Sequence, residues 1–382
     1  MRLLSGIFIA ILALTWIPPV AAAPQGDVIA YIGTYTRGGS KGIYAYRFQP
    51  STGKLTEIGL VGETSNPSFL AIHPNHRFLY AVNEDNTFQG KRAGSVSAFS
   101  IDPATGQLKL LNQVSSGGPG PCHLALDKTG NWLFVANYGG GSVAAYSVHS
   151  DGSLGEAAAF VQHEGSSVDP QRQRGPHAHS TNITPDNHFV LVADLGLDRI
   201  LSYKIPPAGG KLVPGDPPYS SIAPGSGPRH MAFHPKGKFA YVCNEMAATV
   251  TACSYEKDGK LKELQTISML PKDFNGPKGS AEIAVHPNGK FLYASNRGHD
   301  SIAIFAIDPS KGTLTAVDYV PTQGKAPRNF AIDPSGKYLL AANQDSGNIV
   351  EFRLDPATGR LTPSGTMVQL PFPVCITFLA GK

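Results

Sequence analysis

One short phrase recurs along the chain and restricts the possible folds more than any other feature. A Pro or small residue and a polar pair open an alternating apolar strand. His-Pro or Asp-Pro with Asn/Ser-Gly closes it, and a second strand follows. Gly227-Pro228-Arg229-His230-Met231-Ala232-Phe233-His234-Pro235 is a full copy. Others lie at 66–74, 120–127, 279–287 and 326–334, with a degenerate copy at 177–185. The second strand ends in Asn or Asp, as in Trp132 to Asn137 and Phe291 to Asn296. A polar turn, a third strand and a Gly-x-Leu turn complete the unit. Those turns fall at Gly53, Gly106, Gly152, Gly210, Gly259, Gly312 and Gly359. They recur at roughly 45–60 residues, the period of a four-stranded propeller blade. Period-2 alternation with β-branched and aromatic residues supports strands throughout, and no segment carries a sustained helical period.

The ends of the chain complete the pattern. Val28 to Tyr35 lacks the opening strand of the unit, and Phe372 to Phe378 is that strand alone. Pairing them leaves no free edge. The expected fold is an all-β, seven-bladed β-propeller over residues 24–382, with one blade closed by pairing the C-terminal strand with the N-terminal strands.

Residues 1–23 read as a signal peptide: Arg2, an apolar run from Leu3 to Ile17, then Val20-Ala21-Ala22-Ala23. The run is short for a membrane span, which needs about 20 residues. The expectation is an exported protein, periplasmic or secreted, with no membrane partner after cleavage; an uncleaved N-terminal anchor is the alternative. Lys plus Arg number 32 against 28 Asp plus Glu, with no basic block, so no electrostatic footprint for nucleic acid exists. Cys122, Cys243, Cys253 and Cys375 lack CxxC spacing and read as buried small apolar residues.

In a propeller the first strand of each blade lines the central channel, and its start shares a face with the loop between strands two and three. Polar residues should therefore concentrate in those two places. The strand starts hold His177, His179, Arg229, His230, Glu282, Arg328 and Asn329; the loops hold Glu84, Asp85, Tyr138, Asp194, Glu245, Arg297, His299, Gln344 and Asp345. A mouth with several Arg and His plus a carboxylate suits a small anionic ligand. Arg229 and Arg328 occupy a repeat position that elsewhere holds Ser68, Cys122, Ala281 or Val374, so no shared structural role explains them. The recurring Asn reads chiefly as a turn-former. The recurring His-Pro of His73, His234 and His286 reads as a turn at the opposite end of the strand. His177 and His179 share a face of a strand, as metal ligands do, but no further ligand accompanies them, so no metal or other cofactor is expected. No Gly-x-Ser-x-Gly elbow is present, and Gly139-Gly140-Gly141 joins two strands, which makes it a hairpin rather than a nucleotide cradle.

These motifs, with Tyr31-Ile32-Gly33-Thr34-Tyr35-Thr36, Gly175-Pro176-His177-Ala178-His179, Asn244-Glu245 and Ser295-Asn296-Arg297-Gly298, resemble the propeller-type 6-phosphogluconolactonases, a family that also includes the carboxy-muconate lactonising enzymes. The resemblance covers nearly the whole chain after the leader. It implies a channel-mouth site of a His, two Arg and a Glu, which match His177 or His179, Arg229, Glu245 and Arg297. His179, Arg229, Glu245 and Arg297 are the catalytic candidates; His177, Arg328, Asn244 and Asn296 are the substrate-binding candidates. Hydrolysis of a sugar lactone is the leading expectation. Arg229, with Arg297 or Arg328, would hold the anionic group and the carbonyl oxygen. Glu245 or His179 would be the general base. The alternatives are a muconate-type cycloisomerase, a calcium-dependent lactonase using Glu84, Asp194 and Glu245, and a non-enzymatic binding propeller.

Overall fold

The computed structural model describes residues 26–207 and 210–379, so the expected leader lies outside it. The described residues form 28 strands in seven four-stranded antiparallel sheets, with no helix among them. Blades 1 to 6 run Phe69–Ser115, Pro121–Gln162, Ala178–Ser221, Pro228–Ser268, Ser280–Pro321 and Pro327–Gln369. Blade 7 combines Val28–Glu63 with the last strand, Pro373–Leu379. Ile29 pairs with Leu379 and Ile32 with Ile376, so the two ends of the chain close the ring. The innermost strands pack one against the next around the whole circle.

Each second strand is buried along its full length, because both of its faces meet a neighbouring blade. In Phe239–Asn244, Phe239 and Tyr241 pack outward onto Leu292 and Phe305 of blade 5. Ala240 and Val242 face the other way, onto Phe189 and Leu191 of blade 3. Burying a side chain such as Phe305 contributes about 1.5–3 kcal/mol, and each blade interface repeats the arrangement. Fourth strands face solvent on one side and blunt their open edge with charge, as Lys260, Lys262 and Glu263 do in Lys260–Ser268.

The Gly-x-Leu turns tie blades together. Gly312 lies at φ +71°, and a Cβ there would strike the Phe239 ring of blade 4. The carbonyls of Gly106, Gly152 and Gly359 accept the hydroxyls of Tyr31, Tyr80 and Tyr293 from the preceding blade at 2.8–3.0 Å. At the far end of the inner strands the His-Pro histidines do the same work. Nε2–H of His73, His234 and His286 donates to Gly130, Gly289 and Gly336 of the next blade at 2.8–3.0 Å. The other nitrogen, Nδ1, accepts a turn N–H. All four cysteines are free and buried.

Candidate functional site

The mouth is built by a repeated irregularity. In blade 4, Pro228 faces Asn244 but His230 faces Cys243, which leaves Arg229 as an extra, bulged residue. Blades 2, 3, 6 and 7 slip at the same point, giving Cys122, His179, Arg328 and Val374. Blade 5 slips between Ser280 and Ile283. A bulge re-aims its side chain, and these bulges sit at the start of the strands that line the channel. The register settles blade 3: Ala178 stands opposite Asp194, so His179, not His177, holds the place of Arg229 and Arg328.

Glu245 is the centre of the site. It follows the second strand of blade 4, and its backbone is pinned on both sides: its N–H donates to Gly227, and its carbonyl accepts from Ser280 of blade 5. Its carboxylate takes three guanidiniums, from Arg172 at 2.8 Å, Arg297 at 2.9 Å and Arg229 at 3.1 Å. Burial alone would push this carboxyl up; Arg297, Arg229 and Arg172 more than offset that and bring it down to about 2. Glu245 is therefore ionised at ordinary pH, and both of its oxygens are taken up by guanidiniums.

The arginines have different duties. Arg229 is buried, with a side chain only 2% exposed, and its remaining contact is to the Ala281 carbonyl at 2.7 Å. It holds Glu245 from beneath and is not the substrate clamp expected from its repeat position. Arg297 is more open and donates to the Ser280 carbonyl at 3.1 Å; burial brings its guanidinium down to about 10. Arg297, Arg172, Glu245, Arg328 and Gln344 line a cavity of about 450 Å³. Arg328 lies 4.0 Å from Glu84 and beside the Tyr35 ring, and donates no hydrogen bond among the described residues.

His179 Nε2 lies 3.8 Å from the Glu245 carboxylate, and its Nδ1 lies 3.7 Å from Cys122 Sγ. Burial first, then the charges of Arg229, His230 and Arg328, push its imidazole well below the usual histidine range, so it is neutral. His177 lies to one side, stacked on Tyr138 with ring centres 4.6 Å apart and Nδ1–H donated to the Tyr138 carbonyl. One layer deeper, His230 Nδ1 meets the buried Glu282 at 3.1 Å, and Asn329 donates to the same carboxylate. His230 Nε2 is buried without a partner.

Asn244 and Asn296, expected to touch substrate, do not reach the mouth. Both are buried; Asn244 donates to Thr249 and Thr251 in its own hairpin, and Asn296 to the Met269 carbonyl. The turn-forming role accounts for Asn244, while Asn296 ties its strand to the connection from blade 4. The trio expected for calcium is not assembled either. Asp194 is buried, bonded to His163 at 2.7 Å and to the N–H groups of His177 and Gly196, while Glu245 is occupied by arginine. Among the described residues, no group of three or more His, Cys, Asp or Glu is arranged to hold a metal ion.

Arg172 was not among the candidates, and Tyr138 and Tyr35, named with the mouth loops and the opening motif, had been given no role. Arg172 comes from the longest inter-blade connection, 163–177, which is anchored by Gln173 bonding to Leu195 and Asp198. Its length in an otherwise economical repeat was the available signal, since long ordered loops tend to be functional.

Fold and site together define a seven-bladed propeller with a guanidinium–carboxylate–imidazole cluster at one channel mouth. The chain belongs to the seven-bladed β-propeller lactonase family, whose sequence model matches residues 29–378. It is 39% identical over 352 residues to the 6-phosphogluconolactonase of Bacillus subtilis, covering 92% of this chain and 98% of that one. Among solved structures it is similar to a candidate 6-phosphogluconolactonase of Bacteroides fragilis, at 42% identity and TM-score 0.87 over 92% of this chain and 98% of that one. It is also similar to a periplasmic gluconolactonase of Pseudomonas aeruginosa, at 35% identity and TM-score 0.87 over 92% and 99%.

Proposed function

We propose that this chain is an exported lactonase that hydrolyses a sugar lactone at the channel mouth. The observation that carries the reading is a carboxylate locked by three arginines beside an open cavity, with a neutral, buried imidazole packed against that carboxylate. His179 is the base. It takes a proton from water, and the hydroxide attacks the lactone carbonyl. Negative charge grows on the carbonyl oxygen, where Arg297 or Arg328 offsets it. As the ring C–O bond breaks, the imidazolium returns its proton to the leaving alkoxide. Glu245 stabilises that imidazolium from 3.8 Å and keeps the arginines in place. A lactone is an activated ester, so a positioned base and an electrostatic clamp are sufficient chemistry.

Export rests on the apolar leader and gains support from the periplasmic relative. Outside the cytoplasm phosphorylated sugars are scarce, which favours an unphosphorylated lactone. The test is a hydrolysis screen of the purified mature protein with δ-gluconolactone, 6-phosphogluconolactone and a carboxy-muconate, with and without chelator. Chelator-insensitive opening of a sugar lactone is expected. Turnover of the muconate alone, or of none, would overturn the reading.

A further inference from the structure

The mouth has a second lobe that the hydrolytic cluster does not use. A cavity of about 560 Å³ is lined by Tyr35, Arg37, Asn66 and Glu84, together with Arg328 and Gln344. The last two also line the cavity beside Glu245, so the lobes adjoin. Either lobe alone falls within the roughly 300–1,000 Å³ of a small-molecule site, and one lactone ring fills only one of them.

The lobe's polar groups are of both kinds. Glu84 accepts the Tyr35 hydroxyl at 3.0 Å on one oxygen, and its other oxygen has no partner among the described residues. Arg37 rests on the Phe372 ring, its guanidinium carbon 4.3 Å from the ring centre, and that guanidinium, like the one of Arg328, donates no hydrogen bond among the described residues. A free carboxylate oxygen thus stands among uncommitted guanidinium donors and the Gln344 amide. A sugar hydroxyl donates and accepts at once, so a hydroxyl-rich ring can satisfy such a set. A phosphate dianion only accepts, so it could take Arg37 and Arg328 but would leave the Glu84 oxygen unsatisfied and repelled.

We infer that the preferred substrate class is a lactone of a disaccharide acid. Its lactone ring lies at the Glu245 cluster, and a second, neutral sugar ring lies in the Tyr35–Glu84 lobe. This rests on the lactonase reading and sharpens its substrate.

The experiment compares kcat/KM for δ-gluconolactone, 6-phosphogluconolactone and cellobiono-δ-lactone in the wild type and in Arg37→Ala, a substitution at an exposed side chain. The disaccharide lactone should be at least tenfold better than gluconolactone, mainly through KM. Arg37→Ala should erase most of that advantage and leave gluconolactone turnover within twofold. Equal efficiency on the two neutral lactones, or a preference for the phosphorylated one, would overturn the inference. Calorimetry with cellobionate and gluconate separates the two claims. If no lactone turns over, Arg37-dependent preference for cellobionate still supports the lobe, and its absence ends that claim as well.

Discussion

The two ends of the inner strands are made from one repeat and have been put to opposite uses. At the far end the blades agree. His73, His234 and His286 each donate to the next blade's turn, and Asp127 and Asp333 fill the same place by accepting N–H groups of their own turn. At the mouth the blades disagree. The bulge presents Cys122 in one, His179, Arg229 and Arg328 in others, and Val374 in the last. Repetition holds the ring together, and departure from repetition makes chemistry. A symmetric ring of identical groups could grip an ion on its axis, but it could not set a base beside a clamp.

The largest expected effect breaks the mouth. Arg229→Ala strips one of three guanidiniums from a buried carboxylate and leaves the Ala281 carbonyl without its donor, which costs about 3 kcal/mol of stability. Lactone turnover should fall at least tenfold, about 1.4 kcal/mol of transition-state stabilisation. Urea unfolding and steady-state kinetics on the same preparation read both numbers, and the paired loss identifies Arg229 as a support for Glu245. A kinetic loss with full stability would instead make it a direct substrate contact.

Acid should expose the same asymmetry. The Glu245 carboxyl is depressed in the folded state to about 2 from 4.5. Its contribution, on the order of 3 kcal/mol, is therefore fully present above pH 4.5 and is lost as pH falls toward 2. Glu245→Gln should flatten the stability profile across that window. An unchanged profile would mean that the arginines do not hold the carboxylate as described.

The rate profile offers a smaller but sharper reading of His179. Because burial keeps its imidazole neutral, the base form persists as the medium becomes mildly acidic. The acidic limb of kcat/KM should lie below pH 6.5 rather than at it. A limb centred near 7 would point to a different base. Smallest of all is the effect at the other end: His234→Ala removes one inter-blade hydrogen bond and the acceptor of the Lys236 N–H, costing about 1–2 kcal/mol, and leaves kcat/KM unchanged.

The repeat made the architecture legible, down to the shared blade, because each unit advertises its turns and its alternating strands. It also pointed to the face and to the loops, since Glu84, Glu245, Arg297 and Gln344 lie where the second-to-third turns must converge. Depth was harder to see. A bulge inserts a residue without any compositional mark, so the motif left His177 and His179 as alternatives until the register put Ala178 in the place of Pro228. Burial is likewise silent in a string of residues. Arg229 looked like a clamp until its guanidinium was found bonded to Glu245 and the Ala281 carbonyl, and Asn244 and Asn296 looked like ligand contacts until their amides were found buried, the first in its own hairpin and the second on the connection from blade 4. Arg172 lies outside the repeat, so comparing one unit with the next could not find it.

The central claim is that lactone chemistry belongs to the mouth and not to the repeated end. Measuring kcat/KM on a sugar lactone for Arg297→Ala and His286→Ala side by side tests it most directly. Arg297 faces the cavity and His286 ties blades 5 and 6, so the first variant should lose at least tenfold and the second should match the wild type. Equal losses, or a loss confined to His286→Ala, would contradict the account.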